Sequence, residues 1–240
     1  MAEAQAIPKQ EKNFFDWIQE WILSLPIDLK VLLEISGDSE IGIPARSLAV
    51  GTLAYVVYLA DLIPDKIPVL GLIDDVIVIR LSLEVIRGLE PDRMKYYEEK
   101  YPATFARFAE AIEVLKSALG LIYDALMALV EKLKNRRFRG HTAEEAVQSE
   151  EVREEMFDEA MEYVANLNLN PDVVHNALLE APSHQIIGLL TSGLEEEDKR
   201  EIHEAEAAKR LEAPKEMFRK LLKGKTDEEE IDEGGQSNGL

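Results

Sequence analysis

Residues 45–88, ARSLAVGTLAYVVYLADLIPDKIPVLGLIDDVIVIRLSLEVIRG, decide the fold. They form the most apolar part of the chain, yet Pro64, Pro68 and Gly71 interrupt them, interleaved with Asp61, Asp65, Asp74 and Asp75. Wound as a helix, Ala45 to Leu62 is apolar on nearly all sides, and such a helix is buried in protein or in lipid. Pro64 disfavours helical geometry at Ile63, so a first arm is expected to end there. Pro68 removes another backbone donor, and Gly71 tolerates the positive φ of a tight reversal. Asp74 and Asp75 then fall in the first turn of a second arm, where the helix dipole favours negative charge. The β-branched run from Val76 onward would suit a strand, but its length and context favour a helix to Ile86. Gly88, with Pro91 beyond it, marks the stop. The stretch reads as a helical hairpin.

The run YLADLIPDKIPVLGLIDDVIVI resembles the signature of the YkvA family, also called DUF1232. Asp61, Pro64, Asp65, Pro68, Gly71, Asp74 and Asp75 stand at matching positions. Ala60 and Leu72-Ile73 are mild departures from the family pattern. With the lead-in LPIDLKVLLEISGDSEIGIPARSLAV, the resemblance covers roughly residues 25–86. It implies a compact helical hairpin, often regarded as membrane-associated, and no catalytic activity.

The chain has 240 residues, enough for one sizeable core or two small domains, and 46% of them are hydrophobic, so it packs a globular fold. It has no cysteine, which excludes disulfides, thiolate metal sites and cysteine nucleophiles. Met1 to Gln10 lacks the basic and apolar runs of a secretory signal, so the expected place is the cytoplasm or the inner face of its membrane. Of a net charge of −20, most falls in residues 141–240, which hold 26 acidic and 10 basic residues. This asymmetry suggests a helical domain over 1–140, an acidic helical region over 141–225 and a disordered tail over 226–240. Such acidity argues against nucleic acid as a partner, because phosphate contacts need clustered Lys and Arg.

Before the hairpin, Asn13 is expected to cap a helix carrying Phe14, Trp17, Ile18, Trp21, Ile22 and Leu25 on one face. Trp17 and Trp21 either dock on the hairpin as core or anchor at a membrane interface, which tryptophan prefers. Pro26 should open a separate short helix to Ile35. Glu90 to Pro102 reads as a polar turn region. After it, Phe105, Phe108, Ile112, Leu115, Leu119, Ile122, Leu126, Leu129 and Leu133 alternate at spacings of three and four. That is a heptad seam and predicts one long helix, packed on the hairpin or self-associating into a homo-oligomer. Lys132, Lys134, Arg136, Arg137 and Arg139 then form the main basic patch of an acidic chain. It suits either anionic lipid headgroups or the chain's own acidic C-terminal region. Further on, helices are expected over 144–167, from Asn170-Pro171 to Leu179, and over 183–190.

Only the hairpin aspartates are candidates for chemistry. Oxygen ligands suit Mg²⁺ or Ca²⁺, while aspartate is also what turns and helix starts prefer for local hydrogen bonding. Buried carboxylates need partners, and Arg46, Lys66 and Arg80 are nearest in sequence. His141, His175, His184 and His203 lack metal-ligand spacing. The uncharged run Ser47 to Ala60 has 14 residues, about 21 Å of helix against roughly 30 Å of hydrocarbon. A shallow or re-entrant hairpin therefore fits a membrane better than a full crossing, and a soluble bundle with the hairpin inside fits nearly as well. The expected fold is all-α, a hairpin packed against a long heptad-patterned helix and followed by short acidic helices. The expected function is a non-enzymatic, membrane-associated or scaffolding protein. The alternative is a divalent-ion-binding protein or enzyme using Asp61, Asp65, Asp74 and Asp75.

Overall fold

The structure, a computed structural model, describes residues 12–59, 68–135, 137–138, 140–167, 169–181, 186 and 190. Among these the chain is all-α apart from one small ribbon. The helices are α1 (Phe14–Gly37), α2 (Ile43–Leu59), α3 (Pro68–Leu89), α4 (Pro91–Lys100), α5 (Pro102–Phe105), α6 (Phe108–Leu119) and α7 (Leu121–Leu133). An antiparallel ribbon follows, β1 (Arg137–Phe138) with β2 (His141–Thr142), and then α8 (Ala143–Gln148), α9 (Glu150–Asn166) and α10 (Pro171–Glu180).

Local chemistry sets the helix starts. Asn13 caps α1 in a reciprocal box, accepting from the Asp16 amide at 3.0 Å while Asp16 accepts from the Asn13 amide at 2.9 Å. Thr142 and Glu145 repeat that box at α8, and the Asn170 side chain caps α10 with Pro171 at its first position. The Glu90 carboxylate accepts from the Gly42 amide at 2.9 Å, placing negative charge at the start of α2.

The hairpin arms α2 and α3 are the centre of the molecule. Val69 to Leu83 is buried without a break, and α2 is buried from Ser47 to Val56. Around them lie α1, α4, α7, α8, α9 and α10, each packed against one or both arms. The described part of the acidic region, α8 to α10, thus closes the same core as α1. The arms also bond to each other: the Thr52 and Ser82 hydroxyls lie 2.8 Å apart in the interior.

Several expectations are corrected. α1 runs through Pro26 as one helix, because its long buried face outweighs the single backbone bond that proline removes. α3 begins at Pro68, so Gly71 is helical rather than a reversal, and Asp74 and Asp75 lie in the second turn. Residues 91–100 form a helix, α4. Its polar face reaches α1: Arg93 and Tyr97 both bond to Asp38, and Lys100 and Tyr101 to Glu34. Ser149, capping α9, divides the helix expected over 144–167.

The long heptad helix is broken in two places. Arg107 has φ +54, and Gly120 has φ +55 with ψ −119, a backbone state open essentially to glycine alone. The breaks let α7 follow α2 and α3 while α6 turns onto α1. All nine seam side chains from Phe105 to Leu133 are buried, so they fill the chain's own core. The helix expected over 183–190 lies outside the described residues except for Ile186 and Leu190, which are helical and buried.

At Gly51 the backbones of α2 and α7 come close together. A Cβ there would stand 2.6 Å from the carbonyl carbon of Leu133 and nearer still to its oxygen. Backbone cannot move away as a side chain can. Gly51→Ala is therefore expected to lower stability by about 1–3 kcal/mol, read as a fall in the thermal unfolding midpoint. Gly88→Ala, at a helical position with nothing within 4 Å, should leave stability unchanged or raise it. Equal midpoints for the two variants would show that α2 and α7 do not meet at Gly51.

Candidate functional site: the carboxyl groups of the hairpin

Asp74 and Asp75 face the interior, at 1% and 2% exposure. The Tyr55 hydroxyl on α2 donates to Asp74 Oδ2 at 3.3 Å, a long bond. Asp74 Oδ1 and Asp75 Oδ1 are buried without a partner. Burial is the main reason that Asp74 is pushed up to about 7, its own backbone amide, the Tyr55 hydroxyl and the Asp75 amide opposing it only in part. Asp75 is pushed well above the usual carboxyl range by burial and then by the neighbouring charge of Asp74. Two ionised carboxylates side by side in an apolar interior are untenable, so the pair holds positive charge or protons.

None of the expected basic partners among the described residues reaches these groups. Arg46 turns to the end of α1, its Nε donating to the Ser36 carbonyl at 2.9 Å. Arg80 points across the bundle to α1. Its Nη2 lies 2.5 Å from Asp28 Oδ2 and 2.8 Å from Ser24 Oγ, and its Nη1 donates to the Thr104 carbonyl at 2.5 Å. The guanidinium carbon is 5.4 Å from the Trp21 ring centroid. Burial raises Asp28 and lowers Arg80, and each charge opposes the other's shift. Sequence reasoning missed Asp28. Its one available signal was a carboxylate set inside the apolar stripe Leu25, Leu29, Leu32.

Of the other motif residues, Pro68 opens α3 and Gly71 sits in its first turn, while Asp61, Pro64 and Asp65, together with Lys66, lie outside the described residues. Trp17 and Trp21 are buried at 3% and 4% exposure, with Lys12 and Arg107 over the Trp17 ring. As the fold stands, neither indole is presented at the surface. Lys132, Lys134 and Arg137 are exposed at the end of α7 and on β1; Arg136 and Arg139 lie outside the described residues. His141 is exposed, His175 bonds to Gln19 at 3.2 Å, and His184 and His203 lie outside the described residues. Among the described residues no three carboxylate or histidine side chains gather closely enough to hold a metal ion.

The fold is thus an all-α bundle built around a buried hairpin that carries an internal carboxyl pair. Residues 45–81, most of that hairpin, match the family described as "Protein of unknown function (DUF1232)". The match begins at the start of α2 and stops at Leu81, so the lead-in from residue 25 lies outside it. No curated protein and no solved structure matches the chain.

The raised carboxyl groups set the sign of a pH dependence. Each is protonated more readily in the fold than in the unfolded chain, so its stabilising contribution is full below about pH 4. That contribution is lost as the pH rises through about 7, where Asp74 ionises in the fold. Urea unfolding of the native chain should show stability falling over this window. An Asp74→Asn, Asp75→Asn variant should have a flatter profile and exceed the native chain at pH 7.5 by at least about 1.4 kcal/mol, the equivalent of one pKa unit. Parallel profiles would show that the pair is not held in its raised state.

Proposed function

We propose that this chain is a non-enzymatic scaffolding protein in which the hairpin is an internal post. Its contact with a membrane is peripheral, made by the cationic end of α7. The observation that carries this reading is the sheathing of both arms by six helices of the same chain. Inserting the hairpin into lipid would unpack all of them. It would also strip the Arg80–Asp28 pair of its polar surroundings, at several kcal/mol for each charge left alone. Among the described residues no helix is long and apolar enough to cross a membrane. What remains for a membrane is the exposed set Lys132, Lys134 and Arg137, each worth about 1 kcal/mol against anionic lipid.

Flotation with vesicles containing phosphatidylserine tests this. Partial binding at low salt is expected, reversed by high salt and by Lys134→Glu with Arg137→Glu. Amide exchange along α3 should stay as slow on vesicles as in solution. Faster exchange in α3 on vesicle binding would mean that the hairpin unpacks, and would overturn the internal-post reading. Absence of all binding would remove the membrane contact and leave the scaffold.

A second reading, divalent-ion binding by the hairpin carboxylates, is favoured by the two unpaired buried oxygens of Asp74 and Asp75. Calorimetric titration with Mg²⁺ and Ca²⁺ separates it from proton uptake. Binding that disappears in the Asp74→Asn, Asp75→Asn variant supports an ion site; heat unchanged by that variant rules it out.

A further inference from the structure

α1, α2, α8 and α9 meet where two arginines converge. Arg46, in the first turn of α2, donates through Nε to the Ser36 carbonyl at the end of α1. Its Nη2 reaches the Val147 carbonyl near the end of α8 at 3.4 Å. Arg153, on α9, donates through Nη1 to that same carbonyl at 2.5 Å. Two guanidinium groups therefore bracket one oxygen atom. Both side chains are half-buried, and Arg153 is held below its usual value by burial and then by the charge of Arg46.

Helix ends explain part of this arrangement. α1 and α8 present partial negative charge at their C-termini, and neither has a basic residue of its own in its last turn. That accounts for one N–H from Arg153 and two from Arg46. It leaves Arg46 Nη1 and Arg153 Nε and Nη2 without a partner among the described residues. In a chain with 47 acidic residues, neither guanidinium makes an ion pair with a carboxylate among the described residues. Four of the other described arginines show how readily this chain supplies carboxylates: Arg80, Arg87, Arg93 and Arg107 each have at least one. The end of α1 also comes close to the pair. The residue facing Arg153 is Gly37, and a Cβ there would lie 3.5 Å from Arg153 Nη2 and 3.8 Å from Nε.

We propose that Arg46 and Arg153 form a binding site for a small phosphate-class oxyanion at the junction of α1, α2, α8 and α9. Two planar forks with three donor nitrogens unengaged match a tetrahedral oxyanion, which accepts several N–H bonds at once and carries more charge than a carboxylate. Glu150 and Glu154, flanking Arg153 on α9, oppose the anion and set the affinity.

Isothermal titration with inorganic phosphate, at an ionic strength held constant with sodium chloride, tests the site. Saturable one-to-one binding to the full chain is expected, weakened at least tenfold by Arg153→Gln. Because Arg153 also ties α9 to α8, a second variant that leaves these bonds in place is needed. Glu150→Gln with Glu154→Gln should strengthen phosphate binding severalfold, while Lys134→Gln at the far cationic cluster should leave it unchanged. No saturable binding to the native chain would overturn the proposal. So would an affinity unmoved by the two glutamate substitutions, or one that Lys134→Gln lowers as much as Arg153→Gln does.

Discussion

A helix buried on every side has no surface to offer water, and this chain has two, joined in sequence. That constraint organises the rest of the molecule. α3 is buried over four consecutive turns, so neighbours must cover it from every direction, and the chain supplies α1, α2, α4, α7 and α10 to do so. α8 and α9 complete the cover over α2. The same demand explains why the heptad seam bends. A straight helix through Phe105 and Leu133 would run past the hairpin, whereas α6 and α7, hinged at Gly120, lay their apolar faces on α1 and on the two arms.

Inside this apolar assembly the charged groups behave in two ways. Arg80 and Asp28 neutralise each other and recruit Ser24 and the Thr104 carbonyl, so α1, α3 and α5 are tied at one point. Desolvation offsets most of the attraction within such a pair, so it adds little net strength to the packing. Asp74 and Asp75 have no cation to meet among the described residues, and Tyr55 offers one long hydrogen bond. Their charge is therefore governed by what the solution supplies.

Much of this was legible in the sequence. The all-round apolarity of Ala45 to Leu62 and the apolar run from Val76 to Ile86 announced a helical hairpin buried in protein or in lipid, and Asn13 and Asn170 announced helix starts. What was hidden had physical reasons. Spacings of three and four continue across Gly120, because they count side chains on a face and say nothing of backbone dihedrals. α4 escaped notice because only Met94 and Tyr97 are buried in it; its docking face is polar, built from Arg93, Tyr97, Lys100 and Tyr101. Arg80 found its partner 52 positions away on another helix, and no local pattern encodes such a distance. The carboxyl pair was visible as residues, but its burial followed only from the sheath around it.

The bond from Gly42 to Glu90 joins positions 48 apart, and the described residues between them are the two arms of the hairpin. Its two ends therefore meet at a single point, as the ends of a loop of thread meet at a knot. The family-matched segment, residues 45–81, lies wholly within that loop. A unit closed at its base makes few demands on the chain that carries it: the entry and exit need only be neighbours, and apolar faces must be at hand to wrap it. The hairpin can thus be inherited as a cassette while the surrounding helices diverge around it.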